Sequence, residues 1–481
     1  MESFINNING FVWGVPMLSL LLLTGLYLSI GLKGLSISKI PYAFRELFRK
    51  RDVTEDGDVT PFQALMTALS STIGTGNIAG VAAAIAIGGP GAIFWMWMTA
   101  IVGTATKYSE GVLAVKFREV DSNGNRVGGP MYYIKNGLGK KWLWLAGTFA
   151  TFGVLASWGT GAYIQSNSIA DAMNDTYGLS PLITGIILAV GASAVILGGV
   201  KRIAGFASKL VPGMAIAYLG AGLVVIFLNI GNVPDAFSSI FKGAFGYSSA
   251  GTGISIGLLL LAMQKGVARG IFSNEAGQGS APIAHAAAKN NNPVNQGIVA
   301  MLGTVIDTLI VCTITALVIL TSGVISPECL ASAENLEMLK SGTQPLGCDT
   351  SAPLTAAAFD ATLTGVGKHI VTLGLFVFGF TTILGWSYYG ERCCAFLFKE
   401  KSILPFRISW IVVVFFGSAV LMLEGSITNI VNLAWLVADT LTGLMAAPNL
   451  IALVLLSPLV FKLTKEYFAK LKASETGEAA E

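Results

Sequence analysis

Two stretches of the chain place polar side chains and glycine inside otherwise apolar sequence, where they could bind a small charged solute. The first is PFQALMTALSSTIGTGNIAGVAAAIA, residues 61–86, with Thr75, Gly76 and Asn77 near its middle. Gly74 and Gly76 disfavour a continuous helix. A helix that breaks at membrane depth offers backbone N–H and carbonyl groups to the charged ends of a solute. The alternative is a kink that only lets helices pack closely.

The second stretch is GIFSNEAGQGSAP, residues 270–282. Glu275 is its only acid, and an acid inside a membrane span is a functional candidate. It could instead be a structural partner of Arg269 or Lys265, and the sequence does not decide between the two. The other candidate binding residues in this stretch are Phe272, Ser273, Asn274 and Gln278.

A third polar segment, SWGTGAYIQSNS, contains Gln165 and Asn167. Their amides could contact a solute, and they could equally form hydrogen bonds between helices. A break in the first stretch would also free the carbonyls of Ser70 and Ile73, which are neutral oxygen ligands of the kind that a hard metal cation prefers.

Composition indicates an all-α polytopic membrane protein. The 481 residues are 53% hydrophobic and 12% charged, with a mean hydropathy of +0.68. Soluble globular domains do not have this composition. The net charge of +3 does not indicate a nucleic-acid partner, because the basic residues do not form a patch. The first apolar run has no basic segment before it, so we expect a retained span and not a signal peptide.

Hydropathy predicts about eleven transmembrane helices. Lys and Arg collect in alternate connections, which places the N-terminus outside and the C-terminus in the cytoplasm. A twelfth span would put the basic tail on the wrong side. The predicted spans are residues 11–32, 62–86, 91–115, 143–170, 182–200, 206–230, 252–287, 295–322, 367–397, 404–423 and 439–461.

The spans after the first divide into two groups of five with opposite orientation, as an inverted-repeat transporter requires. IGTGNIAGVAAA and AGQGSAPIAHAAA lie in the first span of each group. We expect an extra N-terminal helix and cytoplasmic linker (1–60), a first repeat (61–230), a second repeat with an extracellular loop at 323–366 (231–461), and a cytoplasmic tail (462–481).

The remaining motifs exclude several classes of protein. The sequence has no P-loop, HExxH or GxSxG motif, and its two histidines, His285 and His369, are too far apart to suggest a metal site. We therefore expect neither an enzyme nor an ATP-driven pump. Cys329 and Cys348 share the predicted extracellular loop, and the sequence leaves open whether they form a disulfide.

One motif carries a specific family resemblance. GGPGAIFWMWMTAIVG, residues 88–103, matches the signature of the alanine or glycine:cation symporter family. GTGN, NEAGQGS (274–280) and TTILGWSYYGER (381–392) resemble this family as well. The resemblance covers nearly the whole chain.

The resemblance implies a sodium-coupled importer of alanine or glycine in the cell membrane. Its fold would be of the leucine-transporter type, with a five-plus-five inverted repeat. Na+ would be co-transported without an organic cofactor; membrane lipid would be the other partner, and the chain could act as a monomer. Phe272 would close over the substrate, and Ser273 would accept from its ammonium group. Thr381 and Thr382 would complete a sodium site, unless both hydroxyls bond only to their own helix. A proton-coupled small amino acid transporter with Glu275 as carrier is the alternative.

Three further expectations concern selectivity and gating. Trp386 lies one helical turn after Thr382 and would limit the pocket to small side chains, unless it is only a core or lipid-facing aromatic. Arg269 and Asp439 would pair across an outer gate. Lys107 and Glu110 would neutralise each other on one helix, while Asp307 has no evident partner in the sequence.

Overall fold

The structure is a computed structural model, and it describes residues 2–49, 56–247, 255–330, 332, 335–340, 345, 347–423 and 428–475. The predicted first repeat, 61–230, is described in full. The other predicted regions, 1–60, 231–461 and 462–481, each contain some residues outside this set, and so does the predicted start of a span at residue 252. The fold is helical. The α-helices of the first half are Glu2–Val12, Val15–Gly31, Leu35–Ser38, Ile40–Leu47, Pro61–Thr72, Val81–Gly88, Gly91–Lys116, Pro130–Tyr133, Leu143–Ala156, Gln165–Tyr177, Pro181–Ile196, Gly199–Leu228 and Val233–Ala244.

The second half continues the helical pattern. Its α-helices are Ile256–Asn274, Ala281–His285, Pro293–Ala300, Leu302–Thr304, Thr313–Thr321, Leu336–Lys340, Ser351–Thr362, Gly367–Phe398, Ile403–Ala419 and Thr428–Glu475. Short 3-10 turns occur at Lys140–Trp142, Ile230–Asn232, Pro327–Cys329, Glu400–Ser402 and Val420–Leu423. One small antiparallel hairpin pairs Glu119–Val120 with Arg126–Val127.

In the described part of the chain, four segments widen into π-helical turns, which often occur at functional sites. Three of them contain or adjoin residues considered above: Gly76–Gly80 contains Gly76 and Asn77, Ser157–Ile164 precedes Gln165, and Val305–Cys312 contains Asp307. The fourth is Ile134–Leu138.

Length and composition make seven of the described helices able to cross a membrane. The bent pair Pro61–Thr72 and Gly76–Gly88 brings the number to eight. The chain is therefore a multi-pass membrane protein. Helical segments occur within every predicted span, but eleven crossings, the inverted repeat and the domain boundaries stay predictions.

Two pairings outside the helices bear on the site. Residues 56–59, ahead of the first bent helix, bond through their backbone to residues 287–290, with Lys289 N donating to Val59 O at 2.6 Å and Asp58 N to Ala287 O at 2.8 Å. In the other pairing, Cys329 and Cys348 form a disulfide with their Cα atoms 5.6 Å apart, which answers the question that the sequence left open.

Candidate substrate and ion site

The first break begins where a well-capped helix ends. Thr60 and Gln63 form a reciprocal capping box at the start of the helix Pro61–Thr72. At its other end, Ile73 leaves the helical conformation with φ −77° and ψ 94°. The chain then resumes as Gly76–Gly88, bent by 55° from the first part. The prediction of a broken helix at this position is confirmed, and we call these two parts the first broken helix.

The second break lies between the helices Ile256–Asn274 and Ala281–His285, which together we call the second broken helix. Three residues in the turn have positive φ: Glu275 at 55°, Gly277 at 87° and Gly279 at 81°. Glycine tolerates this conformation, but for Glu275 it costs on the order of 1 kcal/mol. A strained acid therefore stands at a helix end where glycine is usual.

Asp307 joins the two breaks. Its carboxylate accepts from Asn77 Nδ2 at 2.7 Å and from Ser273 Oγ at 2.8 Å, so one fully buried acid contacts both broken helices. Thr308 Oγ1 donates to the same carboxylate at 2.7 Å. Asn77 in turn accepts from Gly74 N at 2.9 Å and so caps the break. The predicted binding residues Asn77 and Ser273 are thus brought together by an acid to which the sequence assigned no role.

The backbones of the two breaks also approach closely beside Thr75. A Cβ atom built on Gly76 would lie 3.3 Å from Ser273 Cα and 3.5 Å from Phe272 Cδ1. The guanidinium of Arg269 lies over the Phe272 ring, 5.8 Å from the centre of that ring. Gly76, Phe272 and Ser273 therefore lie next to one another, and the binding roles predicted for them and for Thr75 stay predictions.

Thr382 connects the long helix Gly367–Phe398 to the first break. Its Oγ1 is 3.4 Å from Ile73 O and 3.0 Å from Phe378 O in its own helix. A Cβ on Gly74 would lie 2.5 Å from Thr382 Oγ1 and 3.4 Å from Gln165 Oε1. Within the described part of the chain, Gln165 Oε1 has no hydrogen-bond partner although it is buried. Hydroxyl, carbonyl and amide oxygens thus converge on Gly74.

Thr381 and Ser70 make local contacts in this structure. Thr381 Oγ1 donates to Phe378 O at 2.9 Å, and Ser70 Oγ donates to Thr67 O at 2.7 Å. Thr381 Oγ1 also lies 3.7 Å from Met214 Sδ in the helix Gly199–Leu228. Both threonine hydroxyls therefore bond within their own helix, and each also contacts a second segment.

Glu275 pairs with Trp386 and Ser280. Its Oε1 accepts from Trp386 Nε1 at 3.0 Å, and its Oε2 accepts from Ser280 Oγ. Among the described residues, these two groups, and not the suggested Arg269 or Lys265, hold the carboxylate; Arg269 and Lys265 line the cavity described below. Trp386 is 2% exposed and so is not a lipid-facing residue.

Three amides reach other parts of the core. Asn274 Nδ2 donates to Thr308 Oγ1 at 3.2 Å, and Gln278 Nε2 donates to Ile271 O at 3.1 Å. Asn167 Nδ2 donates to Gly417 O at 3.0 Å, which is the interhelical alternative considered for it.

A second buried acid supports the turn of the second break. Glu110 Oε1 accepts from Gly279 N at 3.2 Å and from Asn449 Nδ2 at 2.7 Å. Asn449 Nδ2 also donates to Gly277 O at 2.9 Å. Lys107, which is 2% exposed, attracts both Glu110 and Glu275. The predicted Lys107–Glu110 neutralisation therefore belongs to a wider charge cluster around the turn.

A cavity of about 270 Å³ extends to Phe272, and the predicted orientation would place it on the outer side of the membrane. Arg269 and Asp439 both line it, and they attract each other electrostatically. Residues of the N-terminal helix complete its wall: Asn9 Nδ2 lies 3.3 Å from Asp439 Oδ2, and Trp13 Nε1 donates to Asp439 O at 3.2 Å. The two predicted gate residues thus line one cavity, and their role as a gate stays a prediction.

The sodium:alanine symporter family matches residues 1–481 of the chain. The chain belongs to this family. It is 49% identical over 480 residues to the sodium/alanine symporter AgcS of Methanococcus maripaludis, with 99% of each chain covered. It is also 36% identical over 479 residues to the probable sodium/glutamine symporter GlnT of Bacillus subtilis, covering 99% of this chain and 92% of that protein.

Solved structures of low sequence identity share the fold. MhsT in complex with L-phenylalanine has a TM-score of 0.55 at 13% identity, covering 85% of this chain and 98% of MhsT. A Na+-coupled sialic acid symporter has a TM-score of 0.50 at 13% identity, covering 94% and 98%. The family resemblance is confirmed: the chain is a sodium-coupled amino acid symporter of the membrane, and so a transporter and not an enzyme.

Proposed function

We propose that this family member imports alanine or glycine with sodium by alternating access. The observation that carries the proposal is the meeting of both breaks at Asp307, next to the contact of Thr382 with Ile73. Peptide groups, hydroxyls and one buried carboxylate face each other there. A zwitterion and a small cation need this mixture of donors and acceptors.

In the proposed binding mode, the substrate carboxylate lies at the start of the helix that follows the first break. The N–H groups of Thr75, Gly76 and Asn77 open that helix, where the helix dipole favours an anion. Asn77 N donates to Gly74 O at 3.3 Å in this structure, so the substrate carboxylate would replace that long contact. The ammonium group is accepted by carbonyl oxygens near Phe272 and Ser273. Gln165 Oε1, which lacks a partner among the described residues, supplies another acceptor.

We propose that Trp386 sets the size of the substrate, with Asn274 and Gln278 shaping the wall of the pocket. The Trp386 ring is buried and packs close to Gly161, where an added Cβ would lie 2.7 Å from Trp386 Cγ. Little room for a long side chain remains beside such a ring. This argument favours alanine or glycine over the glutamine named for one relative.

The proposed sodium site consists of the carbonyls of Ser70 and Ile73 and the hydroxyls of Thr381 and Thr382. All four are neutral oxygen ligands of the kind a hard cation prefers. Sodium binding would replace the contact of Thr382 with Ile73 O, now 3.4 Å, by a shared ion. It would also turn the Thr381 hydroxyl toward the break.

We propose that Arg269 and Asp439 form an outer gate above Phe272. Glu275, at the second break, belongs to the same gating group. In this scheme the N-terminus is outside, the C-terminus is cytoplasmic, and the protein works in the plasma membrane as a monomer surrounded by lipid.

The test is uptake of labelled alanine and glycine into proteoliposomes that contain the purified protein. An inward sodium gradient should drive accumulation, and potassium in place of sodium at matched pH should not. Empty liposomes serve as the control. Accumulation driven by a proton gradient alone would contradict the sodium assignment and support the proton-coupled alternative.

A further inference from the structure

Glu275 occupies an unusual position, and neither sodium nor the substrate ends require it in the binding mode above. It is 2% exposed, has positive φ, and follows directly after the helix Ile256–Asn274. Its carboxylate is held at both oxygens, by Trp386 Nε1–H at 3.0 Å and by the Ser280 hydroxyl. Because each oxygen of this carboxylate accepts a hydrogen bond, its position is fixed, and it can hold the Trp386 ring in one orientation.

The Trp386 ring is buried in the apolar core, where packing holds its faces and edges and leaves its N–H as the one polar group to be satisfied. Apolar contacts come from Gly161 on one side and from Tyr389, whose ring centre is 5.8 Å away in an edge-to-face arrangement. Among the described residues, Glu275 is the acceptor of the hydrogen bond that the indole N–H donates. A buried indole N–H seeks a partner, and that partner decides how the ring is oriented.

We propose that Glu275 is a positioning residue that holds the Trp386 ring against the substrate pocket and so sets the largest side chain that the protein transports. This rests on the proposed function, in which Trp386 bounds the pocket. Selectivity then depends on a contact between the second broken helix and the helix Gly367–Phe398. Movement of the second break during transport also moves the pocket wall.

The test compares variants by size preference. Sodium-driven uptake is measured for glycine, alanine, 2-aminobutyrate, norvaline and glutamine, and each rate is divided by the rate for the smallest substrate accepted. Glu275→Leu removes the acceptor at similar volume, and Trp386→Phe removes the donor and keeps an aromatic ring. Both should shift preference by about tenfold toward the larger side chains, the scale of one methylene in a pocket. Glu275→Gln keeps an acceptor oxygen and should stay within about threefold of wild type.

The double variant Glu275→Leu with Trp386→Phe separates positioning from general damage. If Glu275 acts through Trp386, the double variant should show no larger shift than either single variant. Additive shifts, or an unchanged size profile in Glu275→Leu, would overturn the proposal. Monodispersity in detergent and residual uptake identify variants that fail to fold. If Glu275→Leu is one of them, Glu275→Met, which also removes the acceptor at similar volume, takes its place, and an unchanged size profile in that variant overturns the proposal.

The substrate preference of the wild-type protein tests the proposed function separately from the positioning role of Glu275. If wild type prefers glutamine to alanine, the assignment of a small substrate fails, yet a shift of size profile between wild type and the Glu275 variants still tests the positioning role. If Glu275→Gln loses all uptake while its fold is intact, Glu275 carries a proton or contacts the substrate, and the positioning proposal is wrong.

Discussion

At the scale of single residues, Thr382 tests the sodium site. Thr382→Ala removes a hydroxyl that lies 3.4 Å from Ile73 O, whereas Thr382→Ser keeps it. Loss of one oxygen ligand should weaken sodium binding by about 1–3 kcal/mol, the cost typical of a lost buried polar contact. The sodium concentration for half-maximal uptake should therefore rise at least several-fold in the alanine variant and stay near wild type in the serine variant. Equal sodium dependence in all three proteins would remove Thr382 from the site.

Asp307 gives a second residue-scale prediction. Asp307→Asn has nearly the same size but only one acceptor oxygen, and its amide N–H₂ would face the donors of Asn77 and Ser273. Leaving one of these buried donors unsatisfied should cost about 1–3 kcal/mol in the binding-competent state. Initial uptake rates at saturating sodium should drop about tenfold. Cys393→Ala, which alters a buried thiol outside this network, is the control and should change the rate little.

The sequence anticipated some of these residues and not others, for a physical reason. Asn77 and Ser273 stand out because polar groups beside glycine are rare in membrane spans. Asp307 is visible as an intramembrane acid, but its partner Asn77 lies 230 positions away, and no local pattern links the two. The same limit applies to Glu275: local sequence suggested nearby cations, while its indole partner Trp386 is 111 positions away.

At the scale of secondary-structure elements, the first break depends on space at Gly74. An alanine there would place a Cβ atom 2.5 Å from Thr382 Oγ1, so either the break or the long helix must shift. We expect this overpacking to cost about 1–3 kcal/mol and to reduce uptake roughly tenfold or more. Gly80→Ala in the same broken helix has no atom within 4 Å of the added Cβ and should transport nearly as well as wild type. Similar uptake by both variants would show that the close approach at Gly74 has no functional role.

The membrane helices and their breaks could be predicted from the sequence because membrane spans are apolar and the two breaks contain glycine. Both broken helices follow from that local rule. This local rule does not predict how close the two broken helices lie to each other. Their separation, and which of their side chains face each other, depend on how helices remote in sequence pack. The π-helical turn Val305–Cys312, which presents Asp307 to both breaks, has no glycine or proline to mark it.

At the scale of the whole molecule, the predicted orientation can be checked with cysteines. Cys329 and Cys348 form a disulfide in the loop predicted to be outside. On intact cells, a membrane-impermeant maleimide should label them only after reduction by an impermeant reductant. A Ser474→Cys substitution at the exposed C-terminal end of the last helix should be labelled only after permeabilisation.

The native protein supplies the control for this labelling. Cys312, Cys393 and Cys394 are buried and should remain unlabelled, so that any signal without reductant comes from the introduced thiol. Labelling of the Ser474→Cys variant at its new thiol on intact, unreduced cells would reverse the orientation.

The backbone pairing between residues 56–59 and 287–290 limits how the transporter can release its cargo. It joins the chain just before the first broken helix to the chain just after the second, and the Arg118 guanidinium binds both partners through Ala288 O at 2.7 Å and Asp56 O at 3.1 Å. A swing of the inner part of the first broken helix alone would break these peptide hydrogen bonds. We therefore expect release to keep these hydrogen bonds and to move the helices Pro61–Thr72 and Ala281–His285 together, so that the parts of both broken helices nearest the pairing leave sodium and amino acid at the same time.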